Sequence, residues 1–365
     1  MAGKVHIGTG PHFWHSPSMT LTLLSTKEER VSWQADLFNR SASVHEAVAA
    51  QGVKGVLEAA EYVRYNEENV SSLPRALAGR MGRQIADNAG AAIIREYEGG
   101  GQLGYSYSAW CLAGLPHREL APGKNWLIST DYARLLVRPG VRLRDDNSEE
   151  ALRVPMGSFA RLLLIDWQTE ALERGSREIV LGKSASALMA RLNLKRGGPS
   201  NRKIADQLER LATCSIDFSF GTDARGVIVN ERLVEAFGYA GALDPRTRKD
   251  ARLVERVVLS HAFYNELRRH PVLVDSAAIR TLTTSPMAID LYLWLAFRLH
   301  QLPKETPISW EKLWKQFGTG VAALKNFRPQ FEPPLHLALA AYKGAKVRVF
   351  DRGLILEPSP PPVVH

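Results

Sequence analysis

Gly182-Lys183-Ser184 has the residue types that end a phosphate-binding loop. In such a loop, glycines let the backbone wrap around the phosphates, while the lysine and the hydroxyl bind the nucleotide and its magnesium ion. The loop also needs a glycine five residues before Gly182, where this sequence has Arg177. The intervening residues, 178–181, are mostly apolar and predict a short buried strand. We therefore reject nucleotide hydrolysis at this motif.

The residues after the strand predict two short helices across a glycine turn. Ser184 can cap a helix over residues 185–192, and Gly197-Gly198 form the turn. A second helix begins at Pro199 or Ser200, and its apolar residues repeat at helical spacing: Ile204, Leu208 and Leu211. Its other face carries the candidate DNA contacts Asn201, Arg202, Lys203, Gln207 and Arg210. Two such helices form a helix-turn-helix, which places its second helix in the major groove of DNA.

A hairpin after a helix-turn-helix makes a winged helix, whose wing reaches the DNA backbone. Residues 214–220, CSIDFSF, alternate apolar and polar residues as a strand does. Residues 221–226 then form a turn, and residues 227–230 form a second strand. Upstream, the apolar residues 158–174 supply the first helix of the domain. We therefore predict that the wing of this domain is the hairpin of residues 214–230.

The same order of elements occurs a second time. Residues 285–302 predict another apolar helix capped by Ser285, and a short strand follows at residues 306–310. A helix capped by Ser309, a basic helical segment and a hairpin over residues 345–358 complete the series. The first helix and the wing strand lie about 57 residues apart in one copy and about 59 in the other. Such a repeat predicts two winged helices in tandem.

Three prolines interrupt the basic helical segment of the second copy: Pro329, Pro333 and Pro334. An interior proline costs about 3 kcal/mol and kinks a helix. We therefore predict a broken segment, with one helix to about Phe331 and another from about Pro333. Large apolar residues keep a helical period through the segment and are predicted to face the core: Phe327, Phe331, Leu335, Leu339 and Tyr342.

The fold class that these elements predict is α+β, with tandem winged-helix domains preceded by a mostly helical N-terminal region. We divide the chain into an N-terminal region (1–100), a first winged-helix domain (101–241) and a second winged-helix domain with a proline-rich tail (242–365). Residues 44–65 and 73–98 have the pattern of helices, and residues 1–40 look loosely ordered. The sequence indicates no function for residues 1–100.

The basic residues are unevenly distributed. The formal net charge is +9, yet residues 1–100 hold 10 basic and 11 acidic residues. Residues 182–212 hold 7 basic and 2 acidic residues, and residues 304–352 hold 9 and 4. Positive charge concentrated in two segments is the pattern of a surface that binds a polyanion. Solvated helix faces would give the same counts, so charge alone leaves both interpretations open.

The sequence lacks the residues that several other classes of function need. Cys111 and Cys214 form no CxxC motif, and we expect both to be buried in a reduced, cytoplasmic protein. No cluster of histidines and cysteines predicts a zinc site, so we expect neither a metal nor another cofactor. No apolar run reaches the ~18 residues of a membrane span, and the N-terminus lacks the apolar region of a signal peptide. We expect no association with a membrane.

Several segments resemble the RepA-type plasmid replication initiators, which are relatives of the TrfA-like initiators of broad-host-range plasmids. The segments are VPMGSFARLLLIDWQTEAL, LERLATCSIDFSF, SPMAIDLYLWLAFRLHQL followed by ISWEKLWKQFG, and GLILEPSPPPV. The resemblance extends from about Tyr105 to Val364, and it falls at the places where the repeat requires it. Residues 1–100 resemble no family that we can name.

The resemblance implies a protein without catalytic activity that binds iterons, the short direct repeats of double-stranded DNA at a plasmid origin. Such a protein helps to open the origin and recruits the host initiator and the replicative helicase. The resemblance also implies a homodimer at rest, with dimerisation by the first winged helix and base contacts by the second. It places Lys325, Asn326 and Arg328 in the second recognition segment. Four basic residues then fall on the second wing: Lys343, Lys346, Arg348 and Arg352.

Two other functions remain open. A transcriptional regulator with duplicated winged helices would have the same elements, and only the family resemblance separates it from an initiator. A rolling-circle nicking enzyme would need a metal-binding His-x-His pair and a nucleophilic tyrosine. His12 and His15 are spaced too widely for that pair, and no other histidines in the sequence have the required spacing.

Overall fold

A computed structural model gives the fold of the chain. It describes residues 101–363, with the exception of residues 145, 196, 221–226, 240–253 and 343. It also describes seven residues nearer the N-terminus: 84, 85, 87, 88, 91, 92 and 95. In this described part, no helix is both long and apolar enough to cross a membrane. The same residues contain no group of three or more histidine, cysteine, aspartate or glutamate side chains placed to hold a metal ion. The predictions for residues 1–40 and 44–65 lie outside the described residues.

The described chain is a mixed α/β structure of helices and small antiparallel sheets. The helices are α1 (Ser108–Leu112), α2 (Gly157–Arg174), α3 (Ala185–Arg191), α4 (Gly198–Thr213), α5 (His261–Arg269), α6 (Ser276–Thr281), α7 (Pro286–Leu299), α8 (Trp310–Phe317) and α9 (Leu324–Ala341). The strands are β1 (Leu103–Tyr107), β2 (Trp126–Ser129), β3 (Ala133–Arg138), β4 (Val141–Leu143), β5 (Glu149–Ala151), β6 (Glu178–Val180), β7 (Ser215–Phe220), β8 (Val227–Arg232), β9 (Val234–Tyr239), β10 (Val254–Leu259), β11 (Pro271–Asp275), β12 (Thr306–Ser309), β13 (Val347–Phe350) and β14 (Gly353–Leu356).

The first repeat unit, which runs from α2 to β10, follows the predicted order up to its third helix. α2 ends at Gly175, whose φ of 62° is in the left-handed region that favours glycine. β6 buries Ile179 and is followed by Gly182, which has a φ of 100°. Ser184 caps α3, because its Oγ accepts a hydrogen bond from the Ala187 N–H at 3.1 Å. The residues that suggested a phosphate-binding loop are therefore a strand end, a turn and a helix cap.

The predicted hairpin, β7–β8, and the hairpin that pairs with β6 belong to different sheets. β7 and β8, the predicted wing, pair with each other and extend a sheet of order β2-β3-β7-β8. β6 instead pairs with β10, and β10 pairs with β9, so the order is β6-β10-β9. The hairpin predicted for residues 214–230 is therefore present, but alternation of apolar and polar residues identifies a strand and not its partner, so the sequence could not show that β9–β10 pairs with β6. β7 and β8 therefore form an additional hairpin between α4 and the sheet of the first unit.

The second repeat unit, from α7 to β14, has the same order of elements. The predicted caps are present, since Ser285 Oγ accepts from the Ala288 N–H at 3.2 Å and Ser309 Oγ from the Lys312 N–H at 3.4 Å. Its sheet has the order β12-β14-β13. In both units, the strand after the first helix thus pairs with the last strand of the hairpin. The turn between β13 and β14 needs Gly353, because a Cβ there would collide with the carbonyl of Ile308.

α9 is one continuous helix, although it contains Pro329, Pro333 and Pro334. The prediction of a helix that breaks near Phe331 and restarts near Pro333 is therefore wrong. Each proline removes one N–H, so up to three backbone hydrogen bonds of the helix are lost. The helix persists because tertiary packing, rather than the intrinsic preference of its residues, supplies most of the stability of a helix in a folded protein.

The packing of α9 explains how it tolerates the prolines. Phe327, Phe331 and Leu335 are spaced by four residues and are fully buried. Burying a large apolar side chain contributes about 1.5–3 kcal/mol, so three of them offset much of the cost of the prolines. Pro329 and Pro333 lie on the opposite side of the helix, where a carbonyl without its N–H partner can bind water.

Two hydrophobic cores correspond to the two units. The first core includes Trp167, Ile179, Ile204 and Phe218, and the second includes Leu291, Trp294, Phe317 and Phe331. β10 and α5 lie beyond residue 242, but their apolar side chains belong to the first core. The core of the first unit therefore extends past the predicted domain boundary to about residue 267.

Residues 84–95, which are helical where they are described, contact the second unit. Ile85 is buried in the second core. Arg95 Nε donates to Asp275 Oδ2 at 2.9 Å, and Asp275 also caps α6 by accepting from the N–H groups of Ala277 and Ala278. The part of the predicted 73–98 helix that the structure describes thus packs against the elements that precede α7.

The two units meet through equivalent elements. β1 precedes the first unit and β11 precedes the second, and the two strands pair antiparallel. Arg161, the fifth residue of α2, forms two hydrogen bonds of 2.6 Å with Asp290, the fifth residue of α7. His117 Nε2 lies 2.8 Å from the same carboxylate. Burial alone would raise the pKa of Asp290, but the charge of Arg161 and the hydrogen bonds from His117 and Arg161 hold it below its usual range.

Candidate nucleic-acid interface

The outer face of α9 is exposed and polar. Lys325, Asn326 and Gln330 are all exposed, whereas Phe327 and Phe331 on the same helix are buried. Phe331 packs at 5.7 Å from the Trp310 ring and at 5.8 Å from the Phe317 ring, measured between centroids. The prediction that Phe327 and Phe331 face the core is confirmed. α9 therefore exposes polar side chains to solvent, while its apolar side chains pack in the core of the second unit.

Arg328 is less available than the sequence suggested. Its Nε donates to Glu332 Oε1 at 2.6 Å, one helical turn later. Its guanidinium also lies 5.2 Å from the centroid of the Trp310 ring. The charge is thus already paired, and the side chain lies along the flank of α9 rather than on its outer face. A guanidinium held in this way must exchange partners before it can contact a guanine.

Gln330 is a candidate contact that the sequence analysis missed. It lies one turn after Asn326, and its Nε2 donates to the Asn326 carbonyl at 2.9 Å. The carbonyl oxygen of the side chain remains available as an acceptor. The i, i+4 spacing from Asn326 was present in the sequence, but the predicted break near Pro333 directed attention to the start of the segment. In the structure, Asn326 and Gln330 lie side by side.

The hairpin β13–β14 carries the predicted basic residues of the second wing. Lys346 and Arg352 are exposed. Arg348 is exposed too, but its guanidinium pairs with Glu357 and Glu305, each at 2.7 Å. Lys343 lies outside the described residues. The hairpin is fixed to α8, because the Trp310 N–H donates to the Arg352 carbonyl at 3.0 Å.

Only the first turns of α4 are accessible. Arg202 and Lys203 are exposed and Asn201 is half-buried, whereas Gln207 and Arg210 are buried. The placement of Gln207 and Arg210 on a free face is therefore corrected. The side chain of Gln207 accepts from the Met156 N–H at 2.7 Å. Arg210 donates to Glu119 Oε1 at 2.8 Å, to Asp206 Oδ1 at 3.0 Å and to the Val154 carbonyl at 3.3 Å.

The segment of residues 140–156 covers the C-terminal half of α4. We call residues 140–156 the α4 cover. Arg142, on β4, binds the carboxylate of Glu209 on α4 through Nε at 2.7 Å and through Nη2. A Cβ at residue 140 would collide with Thr213, so Gly140 allows this close approach. Within the α4 cover, β4 and β5 pair antiparallel as a hairpin.

Two further lysines lie near the exposed end of α4. Lys183 precedes α3, and Lys195 lies in the turn between α3 and α4; both are exposed. Arg191 lies on α3 as well, but it pairs with Asp166 at 2.7 Å and also with Glu170. Four exposed cations of the first unit thus lie at the beginnings of α3 and α4, where helix-turn-helix proteins approach the DNA backbone.

One family model matches part of this chain. Residues 154–312 match the model of a family described as "Plasmid encoded RepA protein". The match confirms the resemblance to RepA-type plasmid replication initiators over these residues. It includes α2, α4 and α7, which carry parts of three of the segments on which the resemblance rests.

Solved structures of another protein also align with this chain. Domains 2 and 3 of RctB, as selenomethionine derivatives, align with a TM-score of 0.47 and 12% identity over 69% of this chain and 98% of that one. A second RctB structure of domains 2–3 gives a TM-score of 0.39 and 11% identity over 68% of this chain and 93% of that one. No curated protein matches the sequence.

Proposed function

We propose that this protein initiates plasmid replication by binding iterons at the origin through two winged-helix units. The shared order of helices and strands supports the winged-helix assignment, together with the equivalent sheet orders β6-β10-β9 and β12-β14-β13. In a winged helix, the third helix enters the major groove and the hairpin contacts the backbone. α4 and α9 are then the recognition helices.

The observation that carries the proposal is the exposed polar face of α9. Asn326 and Gln330 have the amide groups that pair bidentately with adenine in the major groove. Lys325 precedes them, and Lys346 and Arg352 project from the adjacent hairpin. These cations neutralise phosphates and fix the register of the protein on DNA, while the amides distinguish the bases.

The first unit positions the protein on DNA through phosphate contacts and does not set the base preference. Four of its exposed cations, Lys183, Lys195, Arg202 and Lys203, lie at the beginnings of α3 and α4. The next accessible polar residue of α4 is the acidic Asp206, and the residues after it are buried beneath the α4 cover. A short basic end can hold phosphates, but it offers few side chains to base edges.

The proposal includes the partners that initiation requires. The resting protein is a homodimer that dimerises through the first unit, and at the origin the DNA-bound protein recruits the host initiator and the replicative helicase. It has no catalytic activity or cofactor and works in the bacterial cytoplasm. A transcriptional regulator of the same fold is the second candidate, and the match to a replication-protein family favours initiation over it.

The decisive experiment combines footprinting with a replication assay. The protein is footprinted on the plasmid DNA that flanks its gene, and the protected region is cloned into a plasmid without an origin. We expect protection of direct repeats and replication only when the protein is supplied. Protection without replication would support the transcriptional regulator. Conversion of supercoiled DNA to open circles with magnesium would instead show a nicking enzyme.

A further inference from the structure

A cleft of about 120 Å³ lies where the second unit meets the sheet that extends from the first. One wall is the turn between β2 and β3, residues Thr130, Asp131 and Tyr132. The other wall comes from α7, β12 and α8 and includes Trp294, Arg298, Thr306, Lys312 and Gln316. Two other cavities on this boundary hold about 10 Å³ each, which is roughly the space for one water. The cleft, by contrast, can admit a small molecule.

The charge in the cleft is positive. Among the described residues, no carboxylate lies within ion-pair distance of Arg298 or Lys312. The acidic residue of the wall, Asp131, is already 3.8 Å from Lys315 Nζ. Two cations in a partly enclosed space attract an anion, and a guanidinium together with an ammonium suits a phosphate group.

The rest of the lining suits a flat ring. The Arg298 guanidinium lies 5.9 Å from the centroid of the Tyr132 ring, and that ring is half exposed. Trp294 provides an apolar base to the cleft. Gln316 Nε2 donates to the Cys111 carbonyl at 3.1 Å, which orients the amide and leaves its oxygen as an acceptor. An aromatic face beside an amide oxygen can accept a purine or pyrimidine and its amino group.

We propose that this cleft binds a free nucleoside phosphate. Arg298 and Lys312 bind the phosphate, Tyr132 stacks on the base, and Gln316 accepts a hydrogen bond from the exocyclic amino group. Because both walls contribute, the ligand stabilises one arrangement of the two units relative to each other. The site contains none of the residues assigned to duplex DNA, so it is independent of the DNA-binding proposal.

Calorimetric titration of the full chain tests the site, with AMP, ADP and ATP as probes and adenosine and inorganic phosphate as their parts. We expect saturable binding of at least one nucleotide, with adenosine and phosphate each at least tenfold weaker. Absence of nucleotide binding at millimolar concentration would overturn the proposal. So would inorganic phosphate that binds as tightly as the best nucleotide, because the ring would then contribute nothing.

Substitutions locate the binding. Arg298→Gln and Lys312→Gln should each weaken the nucleotide at least tenfold while duplex DNA binding is unchanged. Arg268→Gln is the matched control, because its guanidinium lies 5.8 Å from the Tyr264 ring on α5, away from the cleft. If Arg298→Gln does not fold, Tyr132→Ala takes its place, since that ring is exposed. Equal losses in the control, or binding of single-stranded oligonucleotides alone, would refute a nucleotide site in the cleft.

Discussion

α4 and α9 occupy the same position in the two repeat units, yet their outer faces differ. The outer face of α9 is exposed from Lys325 to Gln330. On α4, Arg202 and Lys203 are exposed and Asp206 is half-buried, whereas residues 207–212 are buried. A repeated fold therefore does not give two equal binding surfaces. A segment outside the repeat decides how much of each helix can reach a ligand.

The side chains of the two helices differ in the same way. On α4, the polar residues Gln207, Glu209 and Arg210 make hydrogen bonds or ion pairs with the protein itself. On α9, the exposed positions include Lys325, Asn326, Pro329 and Gln330. These three polar groups of α4 hold the fold together, whereas Lys325, Asn326 and Gln330 of α9 are exposed to solvent.

The largest expected effect comes from the buried face of α9. Replacing Phe327 by Ala should destabilise the protein by about 3–5 kcal/mol, because the cavity cannot be refilled by a helix stiffened by prolines. Urea denaturation followed by circular dichroism measures the loss. Lys325→Ala on the exposed face is the control and should change stability by less than about 0.5 kcal/mol. A folded Phe327→Ala variant that loses base preference would mean that α9 faces the other way.

The next effect concerns the α4 cover. Replacing Arg142 by Ala removes the bidentate partner of the buried Glu209 carboxylate. We expect a loss of about 3 kcal/mol, the low end for a broken buried pair, because the side chain of Arg142 is itself 35% exposed. Arg144→Ala is the matched control on the same hairpin: its side chain is 56% exposed and lies 3.5 Å from Glu150, so the loss should stay below about 1 kcal/mol. Equal losses in the thermal melts of the two variants would show that the cover is not fixed to α4.

The sequence was sufficient for the local elements of both units. Apolar residues at helical spacing predicted α2, α4 and α7, and the serine caps at 184, 285 and 309 are observed. Caps and periodicity involve residues at most four positions apart, so each can be recognised without knowledge of the fold. The burial of Phe327 and Phe331 follows from the same local rule.

Pairings between distant residues could not be predicted. Arg142 and Glu209 are 67 positions apart, and each alone looks like a solvated surface charge. The partner of β6 lies more than 70 residues away in β10, and β7–β8 is the nearer hairpin. The break predicted in α9 followed a valid rule about proline, but the rule does not include the packing of the opposite face. For these reasons, the sequence analysis wrongly placed Gln207 and Arg210 in the candidate site and missed Gln330.

Substitutions on α9 should change the base preference of the protein, whereas substitutions on α4 should not. Asn326→Ala and Gln330→Ala should each relax the preference at one base pair by about 1–3 kcal/mol, with the melting temperature changed by no more than a few degrees. Arg328→Ala should affect preference less, because Glu332 and Trp310 already hold its guanidinium. Binding to a library with randomised repeat positions measures the preferences. Gln207→Ala serves as the α4 control, and a change of base preference in that variant would contradict the division between the helices.

The smallest effect is the salt dependence contributed by α4. Each phosphate contact adds about 0.9 to the slope of log affinity against log salt concentration. If Arg202 and Lys203 each neutralise one phosphate, the double change to Gln should lower the slope by about 1.8. Affinity should then fall by a similar factor for specific and random duplexes, because contacts to phosphate carry no sequence information.

The control for this prediction replaces two cations that are already in ion pairs. Arg191 and Arg174 both form ion pairs with Glu170, so replacing them by Gln removes the same formal charge without removing free phosphate ligands. Fluorescence anisotropy between about 50 and 200 mM salt gives both slopes. The interpretation requires the Arg202/Lys203 variant to lose more slope than the control. Equal slopes would mean that net charge alone accounts for the effect, whereas a selective loss for the specific repeat would mean that α4 contacts bases as α9 does.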